Sequence, residues 1–536
     1  MRTGATEVLA VLQQRGVDVC FANPGTTELD IVRALEAQPA MRCVLGLQEN
    51  VCTGAADGYG RMTGTPALTL LHLGPGFANG IANLHNARRA HTPIINLIGD
   101  HMSWHLAFDA PLTSDIESLA RPVSGWVRRM TGAADAVAAA AEAVDRAHDN
   151  GGQGVTLIFP ADYQAEKMDA VETAAAKAEA AHPASTVSGA TQTAARTIST
   201  PPPRADVDVN TCADRLRAAG KIVFLLGGGG ETSGLGERAQ RAAARLCDAL
   251  GATAYAETFP ARAARGGGLP DFDRLPYFPE PARAVLDAAD LIVLAGAPTP
   301  ITYFGYDGHP SQLVENDRVL VLGSAGDDIA APLEALAQVL DAPAYLPRSH
   351  DIPEVDDGAL SPAGIAATVA RLLPANAIVS VEGGTCGYPF YAASAGAARH
   401  TTLTNTGGAI GQGLPVALGA AVACPDRRVI ALLSDGSTQY TIQTLWTLAH
   451  EALPVVVLIA ANHQYGILRN ELKRGGQTLG ERAAGLTSLD RPRIDWVELA
   501  HAYGVDATSV ETTGELAAAM TRALDRPGPT LIAMQL

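Results

Sequence analysis

The chain has 536 residues, 47% of them hydrophobic, which is enough for several domains with large buried cores. A formal net charge of −17 speaks against nucleic acid and anionic membrane surfaces as partners. No apolar run is long enough to span a bilayer, Met1-Arg2-Thr3-Gly4-Ala5 lacks a secretory pattern, and seven scattered cysteines form no metal spacing. A cytoplasmic location with reduced thiols is expected.

Three α/β blocks follow one another. The first alternates helical stretches with short apolar runs at Val19–Ala22, Ala67–Leu71, Ile94–Ile98 and Val155–Phe159. That alternation predicts a doubly wound parallel sheet. An Ala/Glu/Lys run, a Ser/Thr/Ala stretch and Pro201-Pro202-Pro203 then mark a linker over 171–206. The second block, 207–345, has runs at Lys221–Leu226 and Leu291–Ala295; a Pro- and Asp-rich linker covers 346–360. The third block, 361–536, has runs at Ala377–Val381, Val429–Leu433, Val455–Ile459 and Thr530–Met534. The fold class is therefore α/β, with three doubly wound parallel-sheet domains over 1–170, 207–345 and 361–536.

Chemistry-bearing segments sit after the apolar runs, where parallel sheets collect ligands. In the first block these are Asn23-Pro24-Gly25-Thr26-Thr27-Glu28, then Leu47-Gln48-Glu49-Asn50 running into a small-residue helix, then Leu71-His72-Leu73-Gly74-Pro75-Gly76. Taken singly, each is an ordinary turn, a helix cap or a structural histidine. Gly227-Gly228-Gly229-Gly230 opens the second block's first turn, but G-x-G-x-x-G with a downstream acid is not clearly present. The third block carries Glu382-Gly383-Gly384-Thr385, the Gly-rich run Thr404 to Pro415, and Ser434-Asp435-Gly436-Ser437 with Asn462 following 27 residues after Asp435 (462 − 435). A carboxylate and an amide oxygen at the ends of two adjacent strands suit one hard cation shared with a phosphate. Gly436 and Ser437 open a helix whose free N–H groups favour phosphate oxygens.

Together these segments resemble the thiamine diphosphate enzymes over nearly the whole chain, in the order pyrimidine-binding, central and diphosphate-binding domain. The family's G-D-G and N-N pair reads here as Ser434-Asp435-Gly436 and Ala461-Asn462, with Ser and Ala as departures. The resemblance implies thiamine diphosphate and Mg²⁺ as cofactors, with Asp435, Asn462 and the backbone carbonyl of Gln464 as metal ligands. Glu49 matches the glutamate that activates the coenzyme's aminopyrimidine, with Gln48 in place of the usual His. Gly408 matches the glycine whose carbonyl meets the 4′-amino group, and Ile410 the apolar residue that bends the coenzyme. Glu382, Gly384 and Thr385 match the loop over the diphosphate. Gly436, Ser437, Tyr465, Gly466 and Ile467 complete the implied cofactor contacts. Some relatives bind FAD or ADP in the central domain; neither is expected here.

The substrate segments match a benzoylformate decarboxylase-like pattern, with Thr26 at its hydroxyl position and His72 at its histidine. That implies a 2-oxo acid decarboxylase in which Glu49, His72 and Thr26 are catalytic. The alternative is an acetolactate synthase-like carboligase. That subfamily's D-A-F-Q-E reads Asp109-Ala110-Pro111-Leu112-Thr113, so Leu112 replaces the Gln, and the loop Phe259 to Asp273 lacks the benzoylformate enzymes' second histidine. The family further implies a homodimer or homotetramer with each site built between subunits.

Overall fold

In the computed structural model, the structure describes residues 2–169 and 208–536; the expected linker at 171–206 lies outside them. Three sheets form, and the pairings among the strands named below are parallel. The first contains β1 (Val19–Asn23), β2 (Arg42–Leu45), β3 (Ala67–His72), β4 (Ile94–Asp100), β5 (Trp126–Arg129) and β6 (Gly154–Pro160), in the order β2-β1-β3-β4-β6-β5. The central sheet orders β7 (Ile222–Leu226), β8 (Thr253–Ala256), β9 (Asp273–Arg274), β10 (Leu291–Ala295) and β11 (Val319–Gly323) as β9-β8-β7-β10-β11. Of the third sheet's seven strands, β12 (Ala377–Val381), β13 (Val429–Ser434), β14 (Val455–Ala461), β15 (Asp506–Val510) and β16 (Thr530–Gln535) lie in the order β15-β16-β14-β13-β12. The chain divides into two compact units: one holds the first and third sheets, the other the central sheet. Among the described residues no helix is long and apolar enough to cross a membrane.

Every apolar run named from the sequence is a strand. The sequence reading missed β2, β5, β9, β11 and β15, which are all sheet edges. An edge strand is covered on fewer sides, so Arg42-Cys43-Val44-Leu45 and Trp126-Val127-Arg128-Arg129 need no continuous apolar run. The interior β8 was also missed, because Thr253-Ala254-Tyr255-Ala256 is short and only weakly apolar.

Six helices position the candidate residues: α1 (Glu49–Thr63), α2 (Leu73–Arg89), α3 (Gly384–Ala393), α4 (Gly413–Ala423), α5 (Asp435–Thr438) and α6 (Gly466–Arg474). The first and third sheets meet through α1 and α4, whose small residues let backbones touch. A Cβ on Gly58 would lie 2.1 Å from the Val416 carbonyl oxygen, and one on Gly419 1.8 Å from that of Ala55. Beside this contact Arg61 grips Asp57 through two bonds of 2.8 and 2.7 Å. Thr92 Oγ1 and Gln412 Nε2 each donate to the same carboxylate at 2.6 Å. The buried charges are thus paired and their hydrogen-bond positions filled, the condition for tolerating them inside a protein.

In the central sheet, Gly228 N donates to Glu257 Oε1 at 2.5 Å and Gly229 N to the Arg262 carbonyl at 2.9 Å. A Cβ on Gly227 would sit 2.2 Å from the Gly296 carbonyl oxygen. These glycines serve close packing, and a side-chain carboxylate of the chain itself takes the Gly228 N–H.

Candidate active site

The third sheet builds the acidic end. β13 and β14 are adjacent, with Ser434 opposite Ala460, so Asp435 and Asn462 emerge side by side. Asp435 is 1% exposed. Its Oδ1 accepts from Gly436 N at 2.8 Å and its Oδ2 from His463 N at 2.6 Å. Burial raises its pKa, and those two N–H donors oppose the rise. His463 reaches that donating position with φ at 54°, uncommon for a residue with a Cβ. Asn462 Oδ1 accepts from Gln464 N at 3.1 Å, and its Nδ2 donates to Thr385 Oγ1, also at 3.1 Å. The Gln464 carbonyl accepts from Gly466 N at 3.0 Å and keeps a second lone pair. A Cβ on Gly436 would lie 2.7 Å from the Tyr465 ring, so the ring closes over the start of α5. Thr385 stands in the first turn of α3, where unpaired backbone N–H groups favour an anion. Ser437 Oγ donates back to the Ser434 carbonyl at 3.0 Å. Ile467, on α6, is exposed.

One carboxylate, one amide oxygen and one carbonyl are hard oxygen donors of the kind magnesium takes. Among the described residues no group of three or more His, Cys, Asp or Glu stands ready to hold a metal. The donor set therefore fits a cation whose remaining ligands come from a phosphate or water, and does not suit a metal held by protein alone.

Glu382 follows β12 and is 3% exposed. Its Oε1 accepts from Gly411 N (2.8 Å), Gln412 N (3.1 Å) and Asn405 Nδ2 (3.2 Å), and its Oε2 from Gly413 N (2.9 Å). Glu382 begins the segment matched to the loop over a diphosphate, and its carboxylate is committed to the segment that precedes α4. That segment carries Gly408, exposed and at φ 79°, and the half-buried Ile410.

The first sheet builds the second cluster, at the carboxyl ends of β1, β3 and β4. His72 ends β3, with Gly99 of β4 as its register partner. His72 Nδ1 lies 2.9 Å from Glu28 Oε2 and 3.1 Å from Thr27 Oγ1. Glu28 is fully buried, accepts from Gly25 N at 2.8 Å and takes the Thr27 hydroxyl at 2.7 Å. Room for this pair comes from two glycines: a Cβ on Gly25 would sit 2.3 Å from His72 Nδ1, and one on Gly99 2.0 Å from Glu28 Oε1. The hydroxyl that reaches His72 is thus that of Thr27. Thr26, the hydroxyl singled out from the sequence, is exposed.

Glu49 opens α1 behind Gln48, whose side chain caps the helix by accepting from Asn50 N at 2.6 Å. Glu49 is buried, and its Oε2 accepts from Asn79 Nδ2 at 3.0 Å. After β4, Trp104 and Phe108 are exposed on either side of His105, with ring centroids 5.5 and 5.9 Å from it.

Residues 2–118 match the N-terminal TPP binding domain of the thiamine pyrophosphate enzymes, and residues 384–534 match their C-terminal TPP binding domain. A relative from Mycobacterium tuberculosis, described as "Putative acetolactate synthase large subunit IlvX", is 46% identical over 99% of this chain and 98% of its own length. The benzoylformate decarboxylase of Pseudomonas aeruginosa is 29% identical over 99% of this chain and 98% of its own. Among solved structures, the Rhodococcus jostii RHA1 thiamine diphosphate-dependent 4-hydroxybenzoylformate decarboxylase superposes with a TM-score of 0.81 at 26% identity, covering 99% of this chain and 98% of that one.

Proposed function

The chain belongs to the thiamine pyrophosphate enzyme family, and from that premise we propose that it is a Mg²⁺-dependent 2-oxo acid decarboxylase acting on a small 2-oxo acid. The observation that carries this reading is the His72–Glu28 pair. Glu28 and Thr27 both face Nδ1 of His72. A carboxylate there holds the hydrogen on Nδ1, so Nε2 is the nitrogen free to take or give a proton, as in other carboxylate-oriented histidines. His72 then delivers the proton that replaces the departing carboxylate, and the exposed Thr26 hydroxyl orients the acid.

Thiamine diphosphate, when bound, supplies the electron sink for loss of carbon dioxide. Asp435, Asn462 and the Gln464 carbonyl would hold magnesium, and through it the diphosphate. Gly384, Thr385, Gly436, Ser437, Tyr465, Gly466 and Ile467 would surround that end. Gly408 and Ile410 would hold the aminopyrimidine end, on a loop that Glu382 keeps in shape. Glu49, buried and held by Asn79, would share a proton with that ring. Glu49 and Asp435 of one site come from different subunits of a dimer or tetramer, so an isolated subunit is inactive. No disulfide joins any of the seven cysteines, which suits the cytoplasm.

A carboligase is the second reading, favoured by the 46% identical relative. One experiment separates the two: product analysis with pyruvate, branched and aromatic 2-oxo acids, with and without an acceptor aldehyde. Free aldehyde as the sole product supports the decarboxylase; a 2-hydroxy ketone or acetohydroxy acid formed from pyruvate at the main rate overturns it. Glu49→Ala should keep coenzyme binding and lose most turnover, whereas Asp435→Ala should lose coenzyme affinity, read by calorimetry.

A further inference from the structure

Three asparagines, Asn79, Asn83 and Asn86, occupy one stripe of α2 at the i, i+4, i+7 spacing that aligns side chains on a helix face. The two inner ones are fully buried. Asn83 Nδ2 donates to the Asn50 carbonyl at 2.8 Å, while Asn83 N donates to Asn50 Oδ1 at 2.9 Å. Asn86 Nδ2 donates to the Ala409 carbonyl at 2.8 Å, and Ala409 N returns a bond to Asn86 Oδ1 at 3.1 Å. α2 is thereby locked in register against both α1 and the segment that precedes α4. The third asparagine is presented from this fixed helix to Glu49: Asn79 Nδ2 donates to Oε2 at 3.0 Å. Among the described residues nothing donates a hydrogen bond to Glu49 Oε1. Gly76, one turn before Asn79, leaves space there by having no side chain: a Cβ on it would crowd Oε1 at 3.1 Å.

The geometry points to Asn79 as a positioning residue that decides which oxygen of Glu49 carries the proton. This inference rests on the role assigned above to Glu49. An amide nitrogen only donates. Oε2 therefore accepts from Asn79 whether Glu49 is ionised or neutral, and a proton on Glu49 resides on Oε1.

The test compares wild type, Asn79→Ala, Asn79→Asp and Glu49→Ala. It measures coenzyme affinity and proton uptake on binding by calorimetry in two buffers. It also measures hydrogen–deuterium exchange at C2 of the bound coenzyme as a function of pH. Asn79→Ala should melt as wild type does and bind the coenzyme within about threefold, with exchange slower by roughly ten- to hundredfold, the effect of losing one hydrogen bond to a charged group. Asn79→Asp places a second carboxyl beside the first, so proton uptake and the acidic limb of the exchange profile should move up by about one pH unit or more. Unaltered profiles and proton uptake in both Asn79 variants, with exchange abolished in Glu49→Ala, overturn the inference alone. A lowered melting temperature with an unaltered profile assigns Asn79 to packing and overturns it too. Exchange that survives in Glu49→Ala removes instead the reading on which the inference stands.

Discussion

Glu382→Ala tests whether a buried carboxylate shapes the segment that would seat the aminopyrimidine. Four donors converge on Glu382: three successive backbone N–H groups, Gly411 to Gly413, and the Asn405 amide, at 2.8–3.2 Å. A hydrogen bond to a charged group contributes about 1.5–3 kcal/mol, so at the low end the three backbone bonds amount to about 4–5 kcal/mol. Gly413 is also the first residue of α4, where a negative charge is favoured by the helix dipole. Against this stands the cost of burying a carboxylate, which shows in a raised pKa despite the four donors. A raised pKa means that for the ionised side chain burial outweighs the donors, so the alanine variant's effect is the loss of an acceptor for three buried N–H groups, roughly 1 kcal/mol each and about 2–3 kcal/mol in all. Charged to ordering the segment on coenzyme binding, this is a fall in affinity of roughly 30- to 150-fold. Glu382→Gln keeps one oxygen for three of the donors and turns an amide toward Gly413 N, so it should fall between wild type and alanine. Calorimetry of coenzyme with magnesium, together with amide exchange at Gly411–Gly413, reads both effects. Affinity within about threefold of wild type, with unchanged protection at those amides in Glu382→Ala, refutes the reasoning.

Further expectations follow from single contacts. Burial lifts Glu257 from an ordinary 4.5 to about 7; a raised carboxyl stabilises the fold while protonated and loses that contribution as pH rises from about 4.5 through 7, here about 3 kcal/mol at 1.36 kcal/mol per unit. Glu257→Gln should therefore flatten the pH dependence of urea unfolding between pH 4 and 8; the four tryptophans all lie outside 207–345, so circular dichroism rather than indole fluorescence is the probe, and parallel curves for the two proteins contradict the expectation. Gly419→Ala drives a Cβ into the Ala55 carbonyl at 1.8 Å and should cost about 2 kcal/mol or more, whereas Gly230→Ala, with nothing within 4 Å, should cost under about 1 kcal/mol; thermal melts of the pair measure the difference. Glu28→Gln removes the carboxylate that holds His72 Nδ1–H, so kcat should fall by roughly 10²-fold or more with little change in KM; a change confined to KM would assign the pair to substrate binding.

The sequence made most interior strands legible, β8 excepted, because a strand covered on both faces tends to be a continuous apolar run. It also placed Asp435 and Asn462 together, since both follow strands that pair in register. What stayed hidden depends on rotation and on distant partners. Thr26 and Thr27 are neighbours in a short 3₁₀ helix, Thr26–Glu28, and each step of such a helix turns about 120°. A pattern that asks for a hydroxyl at this place cannot tell which threonine faces inward. Nothing local marks Glu28 as fully buried either; the space it fills is opened by Gly99, on another strand. Glu382 directly follows an apolar run, but the direction of its carboxylate is fixed by backbone amides that come about 30 residues later in the chain.

Ser434 is the clearest case of a departure that the structure accommodates at a distance. The family's motif has glycine there, and a side chain would seem to crowd the turn that delivers Asp435. The space is made on the neighbouring strand's loop: Gly383 takes φ 104°, and a Cβ built on it would lie 2.1 Å from Ser434 Oγ. With no side chain at 383, the serine fits and its carbonyl remains free to accept from Ser437 Oγ and Thr438 Oγ1 at 3.0 and 2.7 Å. Those bonds hold the first turn of α5 in place, so Asp435 keeps its two backbone donors and its position beside Asn462. A glycine lost from the motif at one strand end is balanced by a glycine required at the next, and it is the pair of positions, rather than either alone, that preserves the acidic end of the site.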